Sequence, residues 1–368
     1  MRICSPHCGA EPQSQSGGEV YERELIQSLA ASEHELHLIL ASHKSNPPGA
    51  GVIHRPALRK GLRWWVTPFV WPQAIARCWR TCGPFDLLRA HSVRYAGPSC
   101  LAARRLLSLP VPVVTHIHHL DPSPLNGLIE RRVLAASDLV ITDSEFARGQ
   151  LVRELGLDPA IIRVVHSGIA DRFRPYPNLA RRYDWGERFV IAACAQLIER
   201  KDPRWALRVL RRVKLAGYGD RVGLVWIGKG PLSATVTAFV AAHGLDDMVR
   251  LPGHVTEGEK LDIYQRCDLF LHSSVLEGFA LAPQEAMACG KPVLGRKAAS
   301  MGEMVEPGLS GLLVSDEQEA AAAIIALVKD PGRLRAMGQR AQARAERLFR
   351  WARTMAGVEA VYREAVRG

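Results

Sequence analysis

Two carboxylates in the second half of the chain flank a short loop that contains glycine. Glu277 lies in this loop next to Gly278, and Glu285 follows eight residues later in a predicted helix over residues 283–288. A helix that begins after a glycine loop presents unpaired backbone N–H groups and the positive end of its dipole. The segment therefore predicts a phosphate-binding site whose carboxylates accept hydrogen bonds from sugar hydroxyls. The alternative is that Glu285 complements the helix dipole and Glu277 is merely solvated.

Three histidines, His116, His118 and His119, end an apolar strand-like run in the first half of the chain. Because side chains alternate along a strand, His116 and His118 share one face, an arrangement that can hold a metal ion. No carboxylate-bearing motif accompanies them, and a histidine at such a position is otherwise a core residue. We therefore predict no metal site from these histidines.

The chain has eight cysteines, and two pairs of them are four residues apart. Cys78 and Cys82 form one pair, and Cys4 and Cys8, with His7 nearby, form the other. A structural zinc site usually has a second ligand pair at short spacing, and neither cysteine pair has one. We therefore predict no metal here and interpret the cysteines as thiols in a reducing cytosol.

The net charge of +11 is unevenly distributed, since no acidic residue occurs between Glu35 and Asp86. Residues 55–80, from Arg55 to Arg80, combine six Lys or Arg residues with four of the eight tryptophans. Cations interleaved with tryptophan suit an anionic membrane surface, where indoles lie at headgroup level. A solvated basic face over an aromatic core gives the same pattern, so both interpretations stay open. Nucleic acid is not predicted, because no nucleic-acid-binding motif accompanies the charge.

The first residues, MRICSPH, lack the long apolar core of a signal peptide. The chain also contains no run of about 18 apolar residues, the length that a spanning helix needs. We therefore expect a cytoplasmic protein, which would be peripheral on the inner face of the cytoplasmic membrane if residues 55–80 bind lipid.

Apolar strand-like runs alternate with amphipathic helical stretches along almost the whole chain. This alternation predicts parallel sheets with helices on both faces, the doubly wound α/β architecture. The pattern is interrupted at residues 169–186, which we interpret as a linker. We predict two Rossmann-like domains, residues 1–170 and 171–345, facing an interdomain cleft that receives ligands at the strand C-termini. A final helix, residues 346–368, is predicted to pack back on the first domain.

Residues 277–293, EGFALAPQEAMACGKPV, are similar to the E-x7-E signature of family 4 glycosyltransferases, also called glycosyltransferase group 1. The resemblance continues in IGKGP at residues 227–231, in RLPGH at residues 250–254 and over residues 295–314. It is dense from about residue 189 to residue 349 and patchier before that. The resemblance implies the GT-B fold and a retaining transfer of a sugar from a nucleotide diphosphate.

The same resemblance implies roles in donor binding for individual residues. Glu277 would lie near the reacting sugar, and Glu285 would bind the nucleotide ribose. Lys201, in the segment AQLIERKD, resembles the lysine that neutralises the diphosphate, whose charge must be met by cations and N–H groups if no metal is present. The family usually has a basic residue at the position of Gln196, so either Gln196 contacts a phosphate as a neutral donor or another arginine substitutes. The diphosphate would rest on the backbone of Gly278, Phe279, Ala280 and Leu281.

In the first half, the resemblance implies a glycine loop at Gly17 and Gly18, just before a helix that starts at residue 20. This loop would approach the donor phosphate and the acceptor. One histidine at the end of a strand would face the sugar. Aligning IHHL with the family pattern selects His118, with His116 and His119 as alternative registers.

We therefore predict a hexosyltransferase that uses a UDP- or GDP-linked sugar and needs no metal or other cofactor. The acceptor would be a hydroxyl of a glycan, a lipid-linked molecule or a small molecule, as in the biosynthesis of cell-envelope glycans. A nucleotide-sugar 2-epimerase of the same fold and a non-catalytic sugar-nucleotide-binding protein are the alternatives. A dinucleotide-dependent oxidoreductase is not favoured, because Gly17 and Gly18 do not provide a G-x-G-x-x-G motif.

Overall fold

The computed structural model describes residues 1–7, 17–41, 44–47, 49, 51–56, 63–118, 120, 124–176 and 186–368. The chain divides into two units: the first comprises Met1–Gly168 and Trp351–Gly368, and the second comprises Ile169–Arg350. The sequence-based boundaries lay after residues 170 and 345, whereas the chain changes unit after Gly168 and again after Arg350.

The first unit is built on a seven-stranded parallel sheet with the strand order β3-β2-β1-β4-β5-β6-β7. Its strands are β1 Arg2–His7, β2 Glu35–Leu40, β3 Val52–His54, β4 Leu87–Ala90, β5 Val113–Ile117, β6 Leu139–Thr142 and β7 Ile162–Val164. Its first helices are α1 Gly17–Ala31, α2 Arg63–Cys82, α3 Ala96–Leu106, α4 Pro124–Ala135 and α5 Glu145–Leu155, and a 3₁₀ turn spans Pro159–Ile161.

The second unit is built on a six-stranded parallel sheet with the order β10-β9-β8-β11-β12-β13. Its strands are β8 Phe189–Cys194, β9 Val222–Ile227, β10 Val249–Gly253, β11 Leu269–His272, β12 Val293–Arg296 and β13 Gly311–Val314. Its helices are α6 Pro203–Val213, α7 Ser233–Ala242, α8 Glu257–Arg266, α9 Leu281–Ala288, α10 Met301–Met304, α11 Glu317–Lys329 and α12 Pro331–Leu348, with a 3₁₀ turn at Glu199–Lys201 and a π turn at Lys214–Tyr218.

The strands are apolar on both faces because helices cover both sides of each sheet. All six residues of β9 are buried, and so are five of the six residues of β2. The predicted fold class is therefore confirmed: two parallel sheets with helices form a two-domain α/β protein.

A break in the last helical stretch returns the chain to the first unit. The predicted final helix was to start at residue 346, but α12 runs through that residue to Leu348 and α13 spans Trp351–Arg367. The break forms where the backbone N–H of Ile169 donates to the carbonyl of Phe349 at 2.8 Å. Helix α13 belongs to the first unit, where the indole of Trp351 donates to Ser28 Oγ at 2.6 Å.

A buried ion pair ties α13 and α1 to the first sheet. Arg89 on β4 and Glu22 on α1 are both 0% exposed, and Nη2 of Arg89 lies 2.6 and 2.7 Å from the two carboxylate oxygens. The other guanidinium nitrogens donate to Tyr362 on α13 at 2.9 Å and to Ser5 on β1 at 3.2 Å. Burial alone would raise the pKa of Glu22, but Arg89, followed by His91, holds it well below its usual range.

Removing one member of this pair leaves a buried charge without compensation. We expect Arg89→Met to lower the free energy of unfolding by about 3–5 kcal/mol. Denaturant unfolding of the full chain measures the loss. The control is Arg104→Met, which breaks the exposed pair between Arg104 and Asp138 and costs about 1 kcal/mol or less. Equal losses in the two variants would contradict the role given to the buried pair.

Candidate functional site

In the second unit, the loops that follow β8 and β11 are joined by hydrogen bonds. The backbone N–H of Val275 donates to the carbonyl of Arg200 at 3.1 Å, and Ser273 Oγ donates to the carbonyl of Lys201 at 2.6 Å. These bonds bring together two sequence-predicted residues that are 76 positions apart, Lys201 and Glu277. The C-terminal ends of neighbouring parallel strands meet at one sheet edge, as expected for this architecture.

Lys201 and Glu277 form a direct ion pair. Nζ of Lys201 contacts Oε1 of Glu277, and Nη1 of Arg200 lies 3.3 Å from Oε2. The two paired side chains are only 15% and 12% exposed. Burial and then the like charge of Arg200 lower the pKa of Lys201 to about 7. This pair places a titratable cation beside a carboxylate at the loop that precedes α9.

The segment that carries Lys201 is anchored by Asp202. Asp202 adopts a positive φ of 42°, and its Oδ1 accepts from the backbone N–H of Trp205, which caps α6. Its Oδ2 accepts from Nη1 of Arg296 at 2.9 Å. Sequence reasoning missed Arg296, because β12 brings it to this loop from almost one hundred residues further along the chain.

Two glycines let another loop pack closely against residues 195–197. A Cβ atom at Gly228, where φ is 132°, would lie 2.1 Å from the carbonyl oxygen of Ala195. A Cβ at Gly230 would lie 2.4 Å from the carbonyl oxygen of Leu197. The close approach holds the segment that carries Gln196, and the Gln196 side chain is exposed.

Glu285 lies on α9, which begins at Leu281, two residues before its predicted start. Its carboxylate is 6% exposed and has a partner at each oxygen: Lys260 Nζ donates to Oε1 at 3.0 Å, and the Tyr264 hydroxyl donates to Oε2 at 3.2 Å. Burial alone would lower the pKa of Lys260, but Glu285 raises it above its usual range. The Glu285 carboxylate is therefore held in one orientation by a cation and a hydroxyl from α8.

Sequence reasoning missed both partners of Glu285. Lys260 and Tyr264 are four residues apart and share one face of α8, which is the only signal the sequence carries for them. Gly278, Phe279 and Ala280 are buried, and Ala280, the N-cap of α9, offers no side-chain hydrogen bond to the helix.

In the first unit, His118 directly follows β5 and is held by a carboxylate that the sequence-based prediction did not pair with it. Its Nδ1 lies 2.9 Å from both oxygens of Asp143, and its side chain is 21% exposed. Burial lowers the pKa of His118, but Asp143 outweighs it, and the net result is a raised pKa. Its Nε2 has no hydrogen-bond partner among the residues that the structure describes.

The other two candidate histidines differ from His118. His116 is 1% exposed, and its Nε2 lies 2.9 Å from the hydroxyl of Tyr362, which Arg89 also contacts. Burial, followed by Arg89, holds the pKa of His116 well below its usual range, so it is a neutral core residue. His119 lies outside the described residues.

Gly17 and Gly18 are not a loop before a helix at residue 20, because α1 begins at Gly17 and both glycines form its first turn. Both are exposed, and a Cβ at Gly18 would meet open space. Their backbone N–H groups are among the first four of the helix, and these four have no intrahelical acceptor.

Much of the basic, tryptophan-rich segment lies on α2. Trp71 is 1% exposed and packs in a hydrophobic core with Ile75, and Trp79 is half-buried. Phe69, by contrast, is 73% exposed, and Arg77 is exposed as well. The side chains at residues 57–66 lie outside the described part of the chain. None of the described helices has the length and apolarity that a membrane span requires.

Two parallel α/β units, each with polar side chains after its strands, have the architecture of the GT-B fold. A family model described as "Glycosyl transferases group 1" matches residues 179–344, and one described as "Glycosyltransferase Family 4" matches residues 15–173. The chain belongs to glycosyltransferase family 4 and is an enzyme of that class.

Named relatives agree with this membership. The D-inositol 3-phosphate glycosyltransferase of Streptomyces bingchenggensis is 29% identical over 322 residues, covering 78% of this chain and 68% of that protein. The enzyme of the same name from Segniliparus rotundus is 32% identical over 256 residues, covering 67% of this chain and 57% of that protein. Anabaena HepE, solved in complex with UDP and glucose, matches the fold with a TM-score of 0.80 at 19% identity, over 98% of both chains.

The contact between Asp143 and His118 leads to a measurable expectation. Asp143→Asn removes the charge that stabilises the imidazolium, so His118 should titrate at a lower pH than in the unmodified protein. Histidine NMR titration of the full chain measures this change. The control is Asp138→Asn, in an exposed carboxylate that pairs with Arg104 instead. An unchanged titration of His118 in Asp143→Asn would contradict the assignment.

Proposed function

We propose that this chain is a retaining hexosyltransferase that moves a sugar from a UDP- or GDP-linked donor to a hydroxyl of a glycan, lipid-linked or small-molecule acceptor. The observation that carries the proposal is the ion pair of Lys201 and Glu277 beside the start of α9. A cation, a carboxylate and a helix N-terminus together suit a diphosphate joined to a sugar. UDP in the HepE complex is consistent with a nucleotide donor.

Lys201 would exchange partners when the donor binds. Lys201 and Arg200 both lie at the Glu277 carboxylate. A diphosphate carries more negative charge than one carboxylate, so it competes for the ammonium of Lys201. Glu277 then has free lone pairs that accept hydrogen bonds from the sugar hydroxyls, while the backbone from Gly278 to Leu281 and Gln196 complete the phosphate contacts.

Glu285 is suited to bind the ribose. An ionised carboxylate offers about four acceptor positions, and Lys260 and Tyr264 occupy one on each oxygen. The remaining positions can accept from the ribose hydroxyls. Because both protein partners hold the carboxylate in one orientation, little ordering is needed when the nucleotide binds.

The transfer step itself needs no dedicated base. The acceptor oxygen forms a bond to the anomeric carbon on the face from which the diphosphate leaves, and the bond between that carbon and the phosphate oxygen breaks. The leaving phosphate oxygen takes the acceptor proton, and Lys201 with backbone N–H groups, rather than a metal ion, stabilises the charge that develops. His118 is oriented by Asp143 through Nδ1, and its buried Nε2, which has no hydrogen-bond partner among the described residues, would bond a hydroxyl of the transferred sugar.

The nature of the acceptor is the least constrained part of the proposal. A lipid-linked acceptor is supported by the basic segment at residues 55–80, where Phe69 and Arg77 on α2 are exposed. The burial of Trp71 counts against a lipid role for that indole. The proposed membrane contact is therefore confined to exposed residues of this segment.

Glu285 and His118 should separate binding from turnover. Glu285→Gln should raise the donor KM about tenfold with little change in kcat, because it removes a charged acceptor from the ribose. His118→Ala should lower kcat about 10²–10³-fold, as expected for a group that acts on the reacting sugar. Release of nucleoside diphosphate from donor sugars, with water as the fallback acceptor, provides the assay.

The control for Glu285→Gln is Glu257→Gln. Glu257 also pairs with Lys260, but the Glu257 side chain is 40% exposed. Its effect on the donor KM should be much smaller. The site assignment is wrong if both Glu285→Gln and His118→Ala turn over donor normally.

Donor binding should depend on pH through Lys201. With a pKa of about 7 the lysine is charged below that pH and neutral above it, and a bound diphosphate restores the charge. Affinity for UDP or GDP should therefore fall about tenfold from pH 6 to pH 8, with proton uptake on binding above pH 7. Calorimetry in buffers of different ionisation enthalpy measures both effects.

Lys201→Arg is the matched control, because arginine stays charged throughout this range. The nucleotide and the other titratable protein groups still contribute to the pH dependence in this variant, so the difference between the two proteins gives the contribution of Lys201. A pH dependence identical in Lys201→Arg and the unmodified protein would remove Lys201 from the phosphate site.

A further inference from the structure

Four potential metal ligands converge at one edge of the first sheet. His37 lies on β2 and His54 ends the edge strand β3; the parallel register pairs His54 with Ile39, so the two histidines are two positions apart on the same face. Cys78 and Cys82 lie one turn apart at the end of α2. One ligand atom from each of the four side chains lies within 4.8 Å of all the others.

We propose that His37, His54, Cys78 and Cys82 bind a structural Zn²⁺ ion. Nδ1 of His37 lies 3.1 Å from Nε2 of His54, and Sγ of Cys78 lies 2.9 Å from Nε2 of His54 and 3.9 Å from Nδ1 of His37. With Zn–N distances of about 2.0–2.1 Å and Zn–S distances of about 2.3 Å, a tetrahedral site separates its ligand atoms by about 3.3–3.8 Å. The four side chains therefore need to move only slightly to bind the ion.

The hydrogen bond of Glu35 prepares His37 as a ligand. Nε2 of His37 lies 3.0 Å from a carboxylate oxygen of Glu35, which can only accept, so the proton resides on Nε2. In the neutral ring, Nδ1 then carries a lone pair that faces His54 and Cys78. A carboxylate that orients the far nitrogen of a histidine is the usual second partner of a zinc ligand.

The surroundings fit a closed structural site and not an open catalytic one. Cys78 and His37 are each 1% exposed, and Phe85 packs edge-on to the His37 ring at 5.2 Å. Two thiolates neutralise the charge of the ion, and all four coordination positions are taken by protein side chains. A bound ion would join β2 and the three-residue strand β3 to the end of α2.

A second cluster, formed by His7, Glu22 and His91, is a weaker candidate. Its ligand atoms also lie within 4.8 Å of one another. However, the guanidinium of Arg89 already lies 2.6 Å from the Glu22 carboxylate. A metal cation there would meet a fixed positive charge. At the proposed zinc site, by contrast, the guanidinium of Arg2 donates to the backbone carbonyl of Cys82 and not to its thiol.

The alternative explanation is a polar cluster that binds no metal, with His54 donating to His37. The tag-free full chain is purified, reconstituted with ZnSO₄ and dialysed. Elemental analysis of this protein then distinguishes a zinc site from a polar cluster without metal. We expect one zinc per chain, and a Co²⁺-loaded protein with the visible bands of a tetrahedral ion and a sulfur-to-cobalt charge-transfer band. A chelator should remove the ion and lower the unfolding temperature.

Cys82→Ser tests the site at a half-buried ligand. This variant should lose the charge-transfer intensity of one thiolate together with most of the zinc. Cys100→Ala, at a buried cysteine of the same unit outside the cluster, should retain one zinc per chain. His54→Ala provides a second loss-of-binding variant if Cys82→Ser fails to fold. The proposal is overturned by zinc well below one per chain after reconstitution, by equal zinc in Cys82→Ser and the unmodified protein, or by a Cys78–Cys82 disulfide in the protein as purified.

Discussion

The buried ion pair of Arg89 and Glu22 is the interaction on which the first unit depends. Two charges without solvent are tolerated only if they are paired and their other hydrogen-bonding groups are satisfied. Here the guanidinium meets that requirement with groups from a neighbouring strand, from α1 and from the C-terminal helix. The chain's last helix is therefore held to a unit formed by its first half. The Tyr362 hydroxyl also contacts His116, so this histidine belongs to the same network.

The charged groups of the Arg89 network are fully buried, whereas those of the candidate site are partly exposed. In the Arg89 network every partner is buried, and His116 is fixed as a neutral ring. The carboxylates of Glu277 and Glu285 also have cationic partners, but they keep some exposure. His118 is similar, since its side chain is 21% exposed although one ring nitrogen is held by Asp143. In the proposed function, these partly exposed groups exchange a protein partner for a substrate.

The proposed zinc site also depends on pairing buried polar groups, and its role is structural. Its four ligands are protein groups facing one another, so their polar atoms need either mutual hydrogen bonds or a shared cation. A zinc ion satisfies all of them at once and at the same time secures a strand of only three residues. In the second unit, Trp205 and Trp226 pack in a large hydrophobic core that holds strands and helices together.

The sequence by itself determined the fold class, because the alternation of apolar runs and amphipathic stretches is a local property of the chain. The E-x7-E segment likewise singled out Glu277 and Glu285 as candidate site residues, since both lie within one loop and one helix. Tertiary structure alone decided their partners. These partners come from other elements, and no spacing rule connects them to the residues they hold: they are Lys260, Tyr264, Arg296 and Asp143.

The cysteine pair at residues 78 and 82 shows the same limit. The sequence offers no second ligand pair at short spacing, and only the parallel register of two neighbouring strands brings His37 and His54 to the cysteines. Local patterns dictate elements, whereas side chains distant in sequence meet only after those elements pack.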